Sequence, residues 1–160
     1  MATGRIITTI DFPARAAGEH ASPADRMNSH IFTYGSLMFP RVWQRVVRGT
    51  YRSAPATVSD HARFAVTGQA YPGMVALPGA AVRGLVYFDV GAADIALLDA
   101  FEGEAYRRDV VEAVLENGSP AAVGTYIHID KSALSAAPWD PDRFQIERFI
   151  ALHFGPGSAR

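Results

Sequence analysis

Two short stretches of this chain carry residue types that can do chemistry. The first is Phe32-Thr33-Tyr34-Gly35-Ser36-Leu37. A β-rich run that meets a glycine and then a helix start leaves several backbone N–H groups without intrachain partners. With the positive end of the helix, those groups make a cradle for a carboxylate or an oxyanion. It is not a phosphate loop, because GxxxxGK[ST] is absent and no lysine lies near. Nor does Ser36 sit in the GxSxG of a nucleophile elbow. The second stretch is DAFEGEAYRR, residues 99 to 108. Glu102 falls at the carboxyl end of a predicted helix, where the dipole disfavours negative charge, and Phe101 beside it promises partial burial. Both effects push a carboxyl pKa upward, toward the range where it accepts and returns a proton near neutrality. Glu104 is a competing candidate, but it follows the helix stop and is expected to face solvent. Arg107 and Arg108 are placed to pair with these acids, which would pull such a pKa back down. Each stretch also has a plainer reading: a strand-to-helix turn with glycine for geometry, and a solvated glutamate in a capping loop.

The rest of the composition narrows the choices. Cysteine is absent, which removes a thiol nucleophile, a disulfide framework and a Cys-based zinc site. The histidines are His20, His30, His61, His128 and His153. No two share the i, i+4 spacing of a helical zinc pair, so no metal site and no cofactor is expected. Lys plus Arg number 15 against 16 Asp plus Glu, for a net charge of -1, without any basic run. That balance argues against a nucleic-acid partner. Apolar stretches fall well short of the ~18 residues of a membrane-spanning helix, and no signal-peptide h-region is present. A cytoplasmic location with a small-molecule substrate is the resulting expectation; the oligomeric state stays open.

The elements that must position these residues follow from pattern. A chain of 160 residues fits one domain with a real core. Residues 1–30 read as an extension: Arg5 to Ile10 has strand character, and the segment from Ala14 to His30 has too little bulky apolar content to repay ordering. Met27 stands as an alternative start. From residue 31 the signals are regular, giving a domain over 31–155 and a tail over 156–160. Ile31 to Tyr34 is a strand, and Pro40 opens a helix that runs through Arg48 to a stop at Gly49. Residues 50 to 66 look extended, interrupted at Pro55; Tyr71-Pro72-Gly73 reads as a turn, and Val82 to Val90 as a strand. Ala92 to Phe101 repeats apolar residues at helical spacing, with Gly103 as its terminator. Tyr106 to Leu115 and Ala121 to Ile129 form a hairpin through Asn117-Gly118. Asp140-Pro141 opens a last helix that Gly155-Pro156-Gly157 ends. Strands that do not alternate with helices predict a small α+β domain, mostly β and barrel-like, rather than a doubly wound sheet.

Taken together, FTYGSLM (32–38), YPGMV (71–75), VRGLVYF (82–88), LDAFEGEAYRRDVV (98–111), GTYIHI (124–129) and PWDPDRFQIERFI (138–150) resemble the γ-glutamylcyclotransferase-like superfamily. The likeness is to its γ-glutamylamine cyclotransferase branch, which includes the plant avirulence-induced proteins, and it spans about residues 31 to 154. The order YGSL, then G-x-V-Y, then FEG-x-x-Y-x-R is the specific part. The resemblance implies a small mixed β-barrel with flanking helices. It implies that Glu102 is the catalytic acid/base, that Tyr34, Gly35, Ser36 and Leu37 contact the γ-glutamyl moiety through the backbone, and that Tyr106 shapes the pocket. Loops that some members carry beside the site look short here, which leaves the leaving-group preference open.

The chemistry of such a reaction suits a cysteine-free chain. A γ-glutamyl amide brings its own nucleophile, the α-amine, which closes a lactam ring on the γ-carbonyl and yields 5-oxoproline and a free amine. The protein has to hold the substrate folded and move one proton. Two other readings remain: removal of a γ-glutamyl cap from a secondary metabolite at the same site, and a non-catalytic small-ligand binding domain of the same fold.

Overall fold

The computed structural model describes residues 29–155. The strand expected at Arg5 to Ile10, the bulk of the extension, Met27 and the 156–160 tail lie outside the described residues. The elements are β1 (Ile31–Thr33), α1 (Pro40–Val46), β2 (Ser53–Val66), β3 (Pro72–Tyr87), α2 (Ala92–Glu102), β4 (Tyr106–Leu115), β5 (Pro120–His128), β6 (Leu134–Pro138) and α3 (Ile146–Phe154). Short 3-10 turns occupy Ser36–Met38, Lys131–Ala133 and Pro141–Arg143. Strands run in the order β3-β1-β5-β4-β2, and β2 pairs back onto β3, closing a five-stranded barrel; β6 adds to the free end of β2. All ladders are antiparallel except β1 with β5. The fold is therefore the α+β barrel with flanking helices that the sequence implied.

Period-two alternation sorts the side chains. Phe32, Val58, Met74, Val86 and Val123 fill the barrel. Their chain neighbours Ile31 and Tyr87 point outward into a second cluster with Val42, Trp43, Leu98, Phe149 and Phe154 of the three helices. The Trp43 ring stacks on Tyr87 at 3.7 Å, so α1 is fixed to the barrel wall. The buried Asp94 carboxylate ties α2 to the loop after α1, accepting the N–H groups of Arg48 and Gly49, each at 2.9 Å, and the Tyr51 hydroxyl at 2.6 Å. These contacts seat both helices beside one end of the barrel.

Several local expectations change. Pro72 and Gly73 are not a turn but the first residues of β3; the reversal falls at Thr67–Ala70, where the Gln69 amide donates to the Val66 carbonyl. A strand's first position tolerates proline because no ladder N–H is needed there. Pro55 does not interrupt β2 but pairs with Leu85, since β4 meets β2 only at Ala56 and Thr57 and leaves Pro55 at an edge. The first helix ends at Val46, before Arg48. Asp140 does cap a helical turn, accepting the Asp142 amide at 2.9 Å, but that turn is a single 3-10 step. Phe144 is extended (φ -71°, ψ 127°), and α3 starts only at Ile146. The Phe144 ring stacks on Phe39 at 4.9 Å, and that packing holds the break. Strand β6, rich in Ser and Ala, shows no alternation that would have announced it.

Candidate functional site

The loop after β1 is held from both sides. Tyr34 is buried, donates its hydroxyl to the Tyr126 carbonyl at 2.5 Å and takes a hydrogen bond from the Met74 backbone. Burial pushes that phenol well above its ordinary range, followed by the nearby Glu102 charge. The Tyr34 carbonyl accepts from the Arg63 guanidinium at 2.8 Å. Gly35 follows, and a Cβ there would stand 2.8 Å from Cγ and Cδ of Pro72, so the close approach requires glycine. Gly35, Ser36 and Leu37 are all buried. Their carbonyl side is used, Met38 donating to Gly35 and Phe39 to Ser36, but no acceptor among the described residues takes the three amide N–H groups. Buried amides without partners are rare in folded proteins; three in succession mark a donor-lined surface. The helical turn here is only three residues long, so the individual donors rather than a macrodipole make the cradle.

Glu102 is the last residue of α2 and Gly103 caps it with φ +77°, a conformation that favours glycine. The Glu102 side chain is half-buried beside Phe101. Burial first, and the Asp99 carboxylate second, push it up to about 8. No hydrogen bond or ion pair reaches it from the described residues. Arg108 instead binds Asp99 through Nε and Nη2, at 2.8 and 3.2 Å, and Arg107 binds Asp109. The pairing that would have lowered the Glu102 pKa is thus diverted to neighbouring acids. Glu104 is exposed and does not line the cleft.

Tyr106 opens β4, with its ring edge-on to His128 at 5.0 Å. Its hydroxyl donates to the Pro72 carbonyl at 2.8 Å, and Pro72 is the residue packed against Gly35. Burial, then Glu102, raises its pKa. The two chemically distinctive stretches are therefore clamped to one another through the start of β3. Tyr34, Gly35, Ser36, Leu37, Glu102 and Tyr106 all border one cleft of about 270 Å³, at the small end of small-molecule sites.

Further lining residues were not singled out by sequence reasoning: Tyr71, Pro72, Tyr126, Phe149 and His153. Phe149 and His153 stand at i and i+4 on α3, a spacing that puts them on one helix face and was there to be read. Tyr126 carries no local signal; its hydroxyl donates to Asp99 at 2.7 Å, a contact made across the fold.

The family model described as gamma-glutamyl cyclotransferase, AIG2-like, matches residues 31–141. Protein AIG2 C of Arabidopsis thaliana is 28% identical over 132 residues, covering 79% of this chain and 80% of its own. AIG2-like protein A of the same plant is 34% identical over 135 residues, covering 81% and 78%. A solution structure from Arabidopsis thaliana superposes with a TM-score of 0.60 at 33% identity, over 79% of this chain and 83% of the other. A structure of a gamma-glutamyl cyclotransferase superposes with a TM-score of 0.59 over 81% of each chain; at 19% identity this is a likeness of fold. With most of the barrel inside the matched segment, the chain belongs to the AIG2-like gamma-glutamyl cyclotransferase family.

Proposed function

We propose that the protein converts a γ-glutamyl amide or γ-glutamyl-amine to 5-oxoproline and a free amine, with Glu102 as the acid/base. The substrate α-amine attacks its own γ-carbonyl carbon, forming the ring C–N bond. Glu102 as carboxylate takes the proton released from that nitrogen. The tetrahedral carbon then expels the original amide nitrogen, and Glu102 returns the proton to it, so no water is consumed and atoms balance. The amides of Gly35, Ser36 and Leu37 serve as donors for the α-carboxylate or the oxyanion. Tyr106 keeps Pro72, and through it the loop, in place.

The observation that carries this reading is a half-buried carboxylate bordering the same cleft as three amides, none of them paired among the described residues. A group with a pKa of about 8 is populated in both protonation states near neutrality, as a group that both takes and gives a proton must be. Family membership supports the same reaction class.

The test is release of 5-oxoproline from a panel of γ-glutamyl dipeptides, γ-glutamyl-ε-lysine and γ-glutamyl amines. In Glu102→Gln turnover should fall by about 10²–10⁴ with the fold intact by circular dichroism. Full activity in that variant, or a larger loss in Glu104→Gln, would assign the proton to another group. Tight 5-oxoproline binding with no turnover of any substrate would favour a binding domain instead.

A further inference from the structure

On the side of α3 the cleft has a wall with a hollow on its far face. Phe149 and His153 wall it there, and the same two residues border a second, more open groove of about 740 Å³. A series of rings connects the two. Trp139 and Phe144 lie 5.7 Å apart, Phe144 and Phe149 5.2 Å, and Phe149 and His153 4.0 Å. These rings are held in place rather than mobile on the surface. The Trp139 indole donates to the Ala70 carbonyl at 2.8 Å, the Arg63 guanidinium lies 5.4 Å from its ring, and Phe149 is buried. Leu152, 70% exposed, extends the apolar surface along the lip.

The rim of this groove is cationic. Arg143 is 3.8 Å from Asp140 and shares its charge with it. Arg148 also lines the groove and has no acid partner among the described residues, since its neighbour Glu147 is bound by Arg41. An apolar aromatic floor that shares Phe149 and His153 with the cleft, edged by an uncommitted guanidinium, has a definite chemical complement. It fits a flat or bulky apolar group with a carboxylate a few bonds away, because guanidinium matches carboxylate geometry in two-pronged fashion.

We propose that this groove is the leaving-group subsite and that the preferred leaving group is an α-amino acid with an aromatic or large apolar side chain. Its side chain rests on the Trp139–Phe144–Phe149 rings and its carboxylate meets Arg148. The inference rests on the cyclotransferase reading: with the γ-glutamyl unit held between the 35–37 amides and Glu102, the departing amine leaves along the wall the two hollows share. A leaving group that ends in an ammonium meets the Arg148 guanidinium, with the Asp140 carboxylate already shared by Arg143, and is selected against.

The experiment compares kcat/KM for γ-glutamyl-phenylalanine, its carboxamide, γ-glutamyl-alanine and mono-γ-glutamyl-1,5-diaminopentane, on the full chain and on Arg148→Gln. Phenylalanine should be preferred to alanine by about tenfold or more, given the apolar area covered. The acid should be preferred to its carboxamide by about fivefold, a preference that collapses toward one in Arg148→Gln. An acid-to-amide ratio identical in the two proteins, or the diamine conjugate as best substrate, overturns the proposal. Titration calorimetry with Glu102→Gln, alone and combined with Arg148→Gln, separates the two possible failures. No 5-oxoproline from any substrate sinks the reaction, while an Arg148-dependent preference for acid over amide in binding still upholds the groove. Product formed without such a preference sinks the groove alone.

Discussion

Glu102 should make the protein less stable as pH rises, and replacing it by Gln should remove this dependence. Its carboxyl ordinarily titrates at 4.5 and in the fold at about 8, because burial and then Asp99 penalise the charge. Between those values the native state holds a proton that the unfolded chain has already lost. Stability contributed by the protonated form is complete below pH 4.5, falls through the interval and is gone above about 8. At about 1.4 kcal/mol per pH unit, the whole interval amounts to about 5 kcal/mol. Water entering the open cleft screens part of this, leaving about 2–4 kcal/mol to be seen. Gln keeps the shape and cannot ionise. Urea unfolding of both proteins at pH 5, 6.5 and 8.5 gives the difference directly. Glu102→Gln should gain on the wild type steadily across that series, while any constant offset from the substitution itself cancels. Two parallel stability curves would mean that the carboxylate is solvated and the site reading mistaken.

Two further outcomes follow from the same geometry. Asp99→Asn removes the second cause of the raised Glu102 pKa and leaves Arg108 without its acid, and both changes favour ionised Glu102. The low-pH limb of kcat/KM, set by the free enzyme's base, should move to lower pH, and a limb that stays in place or moves upward counts against electrostatic tuning by Asp99. Gly35→Val drives a branched side chain into the Pro72 ring, only 2.8 Å from the site of its Cβ. We expect a loss of about 1–3 kcal/mol in chemical denaturation and loss of 5-oxoproline binding by calorimetry; retained affinity would mean that the loop amides do not face the ligand.

Much of this arrangement was legible in the sequence, for physical reasons. Strands β4 and β5 joined at Asn117-Gly118, and helix α2 with its glycine terminator, are local features whose periodicity and turn chemistry speak within ten residues or so. Glu102 was legible because a helix end, an aromatic neighbour and a glycine stop are contiguous with it. Other features depend on partners distant in the chain. Whether Arg107 and Arg108 neutralise Glu102 is decided by Asp99 and Asp109, which reach them first. Pro72 looked like turn punctuation because composition cannot register that β3 begins there, under the Tyr106 hydroxyl. The break before α3 needs Phe39, more than a hundred residues upstream of Phe144, to be understood. Burial of Tyr126 and Trp139 likewise arises only once the barrel closes.

The place of the cleft follows from the shortness of β1. That strand contributes only Ile31–Thr33 between β3 and β5, so the chain leaves the barrel wall while its neighbours continue, and its next amides find no strand to pair with. In an ordinary loop such amides would turn to water. Here Tyr34 pinned to Tyr126, Gly35 against Pro72, and Leu37 in the core under the helices keep them inside. The end of α2 delivers a carboxylate to the same opening because α2 packs on that rim, anchored by Asp94 and Leu98. Neither group is comfortable alone, since among the described residues the amides lack acceptors and the carboxylate lacks a cation. A small zwitterion with a carboxylate at one end and an ammonium beside it would satisfy both at once. The polarity of the cleft thus matches the polar end of a γ-glutamyl group, and the reaction proposed above needs little beyond holding that group folded.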